Sequence, residues 1–156
     1  MPKKLHNKTN GQMGLTLVEL VVTAGILAIL ATCAVPITRY AIKREQEREL
    51  KYALVQMRAA IDEYKRAADA GAFQIKLDSL GYPPDLDTLV TGVEIQNKKV
   101  KFLKRIPVDP ITHQAEWGMR SMQDEPTTDS WGGQNVFDVH SKSDGVGLNG
   151  IHYREW

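Results

Sequence analysis

This sequence contains little cysteine and carries almost no net charge. A single cysteine, Cys33, among 156 residues excludes an intrachain disulfide framework. The formal net charge is +1, and removing residues 1–14, which hold three lysines and no acid, changes it to −2. Neither value gives the strongly basic balance of a protein whose main task is to bind nucleic acid. The sequence therefore predicts no nucleic-acid partner.

The short motifs of the common enzyme classes are also missing. No Walker sequence is present, so any ATP hydrolysis belongs to a partner. His113, His140 and His152 lack zinc-ligand spacing. Ser141 lies near His140 and Asp144 in sequence, but no nucleophile-elbow motif surrounds it. These absences predict that the chain is not an enzyme.

One long apolar run is present near the N-terminus. Residues 15–35 contain a single charged side chain, that of Glu19, and roughly 20 apolar residues are enough to cross a bilayer as a helix. A secretory signal would have a shorter apolar core and a small-residue cleavage site, for which Thr32-Cys33-Ala34 is a weak candidate. The sequence therefore favours a transmembrane helix over 15–36. The lysines of residues 1–14 favour a cytoplasmic N-terminus.

Glu19 is the unusual residue of this run. A carboxylate costs about 2.5–3.5 kcal/mol near the centre of a bilayer and less near an interface. One interpretation is that its side chain extends to the headgroups from the end of the helix. The other is that it has a cationic partner or a function, as such residues usually do. The residues alone leave both interpretations open.

The sequence around Glu19 resembles a known processing site. Gly14-Leu15-Thr16-Leu17-Val18-Glu19-Leu20 is similar to the G-F-T-L-x-E site of type IV pilins and of type II secretion pseudopilins, with Leu15 in place of the usual phenylalanine. The resemblance implies that a membrane aspartyl enzyme, the prepilin peptidase, removes the leader 1–14 by cutting after Gly14 and methylates Leu15. It also places Glu19 at the fifth mature position and Pro36 at the twenty-second, where these helices commonly carry proline.

The same resemblance implies that Glu19 acts in assembly. Cleavage leaves the new amine of Leu15 as a cation at the membrane surface. In a stack of helices, Glu19 of one subunit would neutralise the amine of its neighbour, and only in the correct axial register. Residues 15–36 of many copies would then form the core of a filament.

A helical pattern continues beyond the membrane run. Residues 39–70 contain no proline or glycine and are rich in good helix formers. Apolar residues at three- and four-residue steps predict one buried stripe, which consists of Leu50, Ala53, Leu54, Met57, Ile61, Tyr64 and Ala68. Glu47–Lys51 and Asp62–Arg66 predict favourable pairs on the solvent side. Pro36 predicts a kink or local melting of the helix, and Gly71 its end.

Shorter elements are predicted after Gly71. Residues 85–90 are typical of a helical turn, residues 93–96 and 100–103 of a hairpin, and residues 136–140 of a last strand. Trp117, Trp131 and Trp156 are interpreted as core residues of this region.

The predicted fold class is α+β. It consists of a long N-terminal helix, transmembrane and then amphipathic, packed on a small antiparallel β-sheet as in type IV pilins. The predicted domains are 1–14 (leader), 15–36 (transmembrane helix and filament core), 37–71 (amphipathic helix) and 72–156 (periplasmic β-rich region).

The C-terminal half resembles the major pseudopilin of type II secretion systems in three segments. Residues 82–89 are similar to its Y-P-T…L-x-x-L segment, residues 103–110 to Y-L-x-x-I-P-x-D-P, and residues 136–145 to F-D-I-Y-S-x-G-x-D-G. Ile111-Thr112 replaces the Trp-Gly that usually follows D-P, and residues 113–133 are longer and different. The resemblance extends to the fold and to the class of secretion machine.

Oxygen-bearing residues cluster in the last of these segments. Asp138, Ser141, Asp144 and Asn149 are interleaved with glycines, and Ca²⁺ takes six to eight oxygen ligands in such loops. The spacing of an EF-hand is absent. The major pseudopilins bind calcium in this loop, which implies a site with Asp144 as its best side-chain ligand. A metal-free glycine turn is the alternative.

These features predict a structural subunit of a type II secretion pseudopilus that drives protein export. The resemblance implies that the chain forms a helical homopolymer, is anchored in the bacterial inner membrane and has a periplasmic C-terminal domain. Its further partners would be minor pseudopilins, an inner-membrane platform protein and an assembly ATPase. A type IV pilus pilin is the close alternative, although pilins often close this region with a disulfide that a single cysteine cannot form. A membrane-tethered enzyme or binding module is the third.

Overall fold

The computed structural model describes residues 16–125, 128 and 130–156, without the side chains of 33–37. These residues fall into two units, one ending at Ala41 and the other covering Ile42–Trp156. The helices are α1 (Leu17–Asp69) and α2 (Leu86–Thr91), with 3₁₀ turns at Leu77–Ser79 and Tyr153–Glu155. The strands are β1 (Val93–Ile95), β2 (Lys98–Val100), β3 (Trp117–Arg120) and β4 (Asp138–Ser141). The predicted α+β class is confirmed.

Helix α1 ends where the sequence predicts. The N–H of Gly71 donates to the carbonyl of Ala68 (2.9 Å), and the N–H of Ala72 donates to the carbonyl of Ala67 (3.1 Å). This pair of bonds is the Schellman motif, and Gly71 supplies the positive φ of 70° that it requires. The backbone is helical through Pro36, so the alternative of local melting at that residue is wrong. The neighbouring residues of the helix keep their conformation despite the missing proline N–H.

The predicted apolar stripe of α1 is buried, as expected. Its seven members are all buried in the second unit. All of them except Ala68 belong to the core cluster that also contains Leu86, Leu89, Leu103, Trp117, Val136, Val139 and Tyr153. Trp131 and Trp156 pack against this core as well, which agrees with their interpretation as core residues. Glu47 was predicted to face solvent beside Lys51, and this is wrong. The residue is only 8% exposed, because its carboxylate contacts the C-terminal segment.

The helical turn and the hairpin are present, with shifted boundaries. Helix α2 begins after Asp85, whose carboxylate accepts the N–H of Thr88 at 2.7 Å and so caps it. Strands β1 and β2 pair antiparallel, with Val93 opposite Val100. The turn lies at Gln96 and Asn97, which both have positive φ, so Lys98 and Lys99 belong to β2 and not to the loop.

A second antiparallel pair of strands lies in the C-terminal part of the chain. Strand β4 pairs with β3, and Trp117 lies opposite Ser141. The predicted last strand is therefore present but shifted to 138–141. Its partner β3 was not predicted. Instead of one small sheet, the described residues form two separate two-stranded sheets.

The described part of the chain holds no helix with both the length and the apolar character that crossing a membrane requires.

Candidate assembly surface and predicted calcium loop

The first candidate site is the apolar surface at the start of α1. Residues 16–32 are all exposed. The large apolar side chains among them are Leu17, Val18, Leu20, Val21, Val22, Ile26, Leu27, Ile29 and Leu30. They are distributed around the whole helix rather than along one stripe, and Glu19 is the only ionisable residue among them. We call residues 16–32 the apolar surface. Contiguous exposed apolar area of this kind indicates a contact with other protein or with lipid.

Glu19 also belongs to the start of the helix. The Oγ1 of Thr16 accepts the N–H of Glu19 at 3.2 Å, and the carbonyl of Thr16 accepts the N–H of Leu20 at 3.0 Å. Thr16 is therefore the N-cap of α1, and Thr16-x-x-Glu19 has the spacing of a capping box. The backbone N–H of Glu19 therefore takes part in the cap of α1, a contact that the Thr-x-x-Glu pattern could have indicated.

The predicted processing residues cannot be placed. Gly14 and Leu15 lie outside the described residues, as does the side chain of Pro36. Cleavage after Gly14 and methylation of Leu15 therefore stay predictions.

The second candidate site is the predicted calcium loop, whose four side chains have contacts of their own. Asp138 forms a bidentate ion pair with Arg58, with Nε 2.6 Å from Oδ1 and Nη2 3.2 Å from Oδ2. The N–H of Val139 also donates to Oδ1 at 2.8 Å. Both carboxylate oxygens of Asp138 are therefore already engaged.

Ser141 faces a different partner. Its hydroxyl donates to Oδ2 of Asp109 at 2.6 Å, and both residues are fully buried. Side chains alternate between the two faces of a strand, so Ser141 and Asp138, three residues apart in β4, point to opposite faces. Their side chains do not converge on one ion.

Asp144 and Asn149 complete the predicted set. The side-chain amide oxygen of Asn149 accepts the N–H of Ile151 at 3.1 Å. The side chain of Asp144 is 96% exposed, with Nη1 of Arg154 at 4.0 Å from Oδ1. Asp144 lines a cavity of about 410 Å³ together with Lys142 and Arg154, which are both cationic. These contacts do not fit a calcium site built from the four side chains.

The structure also brings together residues that sequence reasoning missed. Asp109 accepts the N–H of Ile111 (2.7 Å) as well as the hydroxyl of Ser141, so this buried carboxylate ties the 106–112 loop to β4. An aspartate before proline in a turn could have indicated it. Glu47 and Arg58 join α1 to the C-terminal segment, and no local pattern predicts such distant partners.

Comparisons of the chain with protein-family models, with curated proteins and with solved structures found no match.

Proposed function

We propose that this protein is a structural subunit, the major pseudopilin of a type II secretion system, and not an enzyme. The observation that carries the proposal is the apolar surface with its single carboxylate. Leaving large apolar side chains in water costs about 1.5–3 kcal/mol each relative to burial, so we expect residues 16–32 to be covered by lipid or by other protein. We propose that the cover is lipid before assembly and other copies of the same segment after it.

The start of α1 supports a specific contact between neighbouring copies, in which Glu19 of one copy pairs with the N-terminal amine of the next. The described helix begins at Leu17, capped by Thr16, so Glu19 lies within one turn of the N-terminus that cleavage after Gly14 would create. The new amine and the carboxylate carry opposite charges in surroundings of low polarity, where an unpaired charge is costly. Pairing between neighbours would satisfy both groups and set the axial register of the helices.

The partners follow from the same proposal. The prepilin peptidase would cut after Gly14 and methylate Leu15, and the platform protein and ATPase would drive assembly from the inner membrane. Minor pseudopilins would join the same filament. The second unit, Ile42–Trp156, would form its outer layer in the periplasm.

Photo-crosslinking from Val22 tests this proposal. Val22 is exposed within the apolar surface. A photoreactive residue at this position in the full chain should give a ladder of dimers, trimers and higher multimers in cells that contain the secretion machine. Denaturing gels probed for the chain measure it.

The matched control is the same probe in a Gly14→Val chain, which we expect the peptidase not to cut. That chain should give monomer or lipid adducts alone. A wild-type chain that also yields no multimers would contradict the proposed core.

A further inference from the structure

Four polar residues of α1 follow one another along one side of the helix in the second unit. Lys43, Glu47, Lys51 and Arg58 are separated by four, four and seven residues, which places them on one face. We call them the polar stripe. Each of them contacts the segment 144–156.

Glu47 makes the central contact. Its Oε1 accepts the N–H of Leu148 at 2.7 Å and the hydroxyl of Tyr153 at 3.0 Å. Burial, followed by the hydrogen bond to Glu47, raises the pKa of Tyr153 to about 12. The phenol is therefore protonated at physiological pH and donates a hydrogen bond to the carboxylate of Glu47.

The other three residues hold the ends of the segment. The Nζ of Lys43 donates to the carbonyl of Val146 at 2.7 Å. The Nζ of Lys51 lies 4.7 Å from the centre of the Trp156 ring, within the range of a cation–π contact. The Nη2 of Arg58 donates to the carbonyl of Trp156 at 2.7 Å and to that of Val139 at 3.1 Å.

The segment is also closed upon itself. The N–H of Gly147 donates to the carbonyl of Ile151 at 2.8 Å, and the N–H of Tyr153 donates to that of Gly145 at 3.0 Å. A Cβ at Gly147 would lie 2.6 Å from the Trp156 ring, so the segment folds tightly against its own end. Backbone bonds and the polar stripe thus fix the turn from both sides.

Two cationic side chains lie near Asp144. Arg154 lies 4.0 Å from its carboxylate, and Lys142, which is bonded to Glu116 at 3.0 Å, lines the same cavity. A divalent cation placed in this cavity would lie beside the two cationic side chains of Lys142 and Arg154. Among the described residues that line the cavity, Asp144 alone would offer it a carboxylate.

We propose that the polar stripe of α1 holds the segment 144–156 closed without a metal ion, and that Arg154 supplies the positive charge next to Asp144. Closure then depends on contacts with α1 and not on the calcium concentration. The claim concerns the second unit alone and stands whether or not the chain assembles into a filament.

Hydrogen exchange of the full chain in detergent tests the proposal. It is measured by mass spectrometry with about 5 mM calcium, above the dissociation constants of weak extracellular sites (about 0.1–1 mM), and with EGTA. In the wild type, exchange of peptides covering 144–156 and the melting temperature should be the same in both solutions. Glu47→Ala should raise exchange of these peptides roughly 10- to 100-fold in both, because a part-buried amide and a buried hydroxyl lose their acceptor.

Two variants make the test specific. Glu49→Ala removes an exposed glutamate of the same helix and should leave exchange unchanged. Lys51→Met keeps the fold and removes only the charge over Trp156, with a roughly two- to fivefold rise at residues 153–156. Protection by calcium that Asp144→Ala abolishes would overturn the proposal. Exchange in Glu47→Ala and Lys51→Met that matches Glu49→Ala would overturn it too.

Discussion

Replacing Glu19 by glutamine is expected to abolish filament assembly while the chain still inserts and folds. Glutamine can occupy the last position of a capping box, so the start of α1 is kept. The negative charge is lost, and the amine of a neighbouring Leu15 then has no counter-ion in surroundings of low polarity. An unpaired charge costs about 2.5–3.5 kcal/mol at the bilayer centre and less near an interface, and this smaller cost would be repeated at every subunit of the polymer. In-cell crosslinking should show the multimer ladder of the wild type and monomer only in Glu19→Gln.

Thr16→Ala separates the cap of α1 from the charge of Glu19. It removes the Oγ1 that accepts the N–H of Glu19 but keeps the carboxylate. An exposed N-cap contributes about 1 kcal/mol, so the first turn frays and the ladder should persist. Glu19→Ala removes the carboxylate but keeps the backbone N–H that the Oγ1 of Thr16 accepts, so it should behave as Glu19→Gln does. If Glu19→Gln assembled normally and Thr16→Ala did not, assembly would depend on the cap at Thr16 and not on the charge of Glu19, and the proposed pairing would be wrong.

Asp109→Ala is expected to cause a large loss of stability in the second unit. The carboxylate is fully buried and accepts the hydroxyl of Ser141 and the N–H of Ile111. Without it a buried hydroxyl and a part-buried N–H lose their acceptor, which lowers the free energy of unfolding by about 2–4 kcal/mol. Urea unfolding of the full chain, followed by tryptophan fluorescence, measures the change, since Trp117 is buried in the same unit.

Two aspartate variants control this result. Asp109→Asn keeps an oxygen for Ile111 and should lose less, about 1 kcal/mol, because its amide can donate to the oxygen of Ser141. Asp144→Ala removes a carboxylate that is 96% exposed and should change the free energy of unfolding by less than about 0.5 kcal/mol. Equal stabilities of Asp109→Ala and Asp144→Ala would show that the buried bonds do not hold the 106–112 loop.

The stripe of α1 could be predicted because helical periodicity is local. Residues three and four apart share a face whatever the rest of the chain does, so Leu50, Leu54 and Ile61 were assigned to the core correctly. Glu47 was misplaced for the converse reason. Its sequence neighbour Lys51 suggested an exposed pair, but its partners Leu148 and Tyr153 lie 101 and 106 residues away. Burial of a charged residue depends on such distant contacts.

Strand β3 could not be recognised from its residues. Trp117-Gly118-Met119-Arg120 has no clear alternation, and its conformation comes from pairing with β4. The predicted calcium ligands could not be judged from their residues either, because their directions depend on the same strand pairing. Asp138 and Ser141 are close in sequence, yet the alternation of β4 directs them to Arg58 and Asp109 respectively. Oxygen-rich composition predicts ligands only where the backbone lets them converge.

Among the proposed site residues, Glu19 is the one that sequence reasoning could single out most directly. A lone carboxylate in an apolar run needs an explanation on energetic grounds alone, whatever the fold. The sequence does not contain the geometry of the neighbouring copies that would pair with it. The capping contact of Thr16 needs only one helix, and it was predictable from the Thr-x-x-Glu spacing.

The mass of the mature chain tests the proposed function most directly. The protein is extracted from membranes of cells that contain the prepilin peptidase and measured intact, with fragmentation of its N-terminal region. We expect a chain that begins at Leu15 and carries one additional methyl group on that residue. A mature chain that still begins at Met1, or one that is cut after Ala34 as a secretory signal would be, would contradict it.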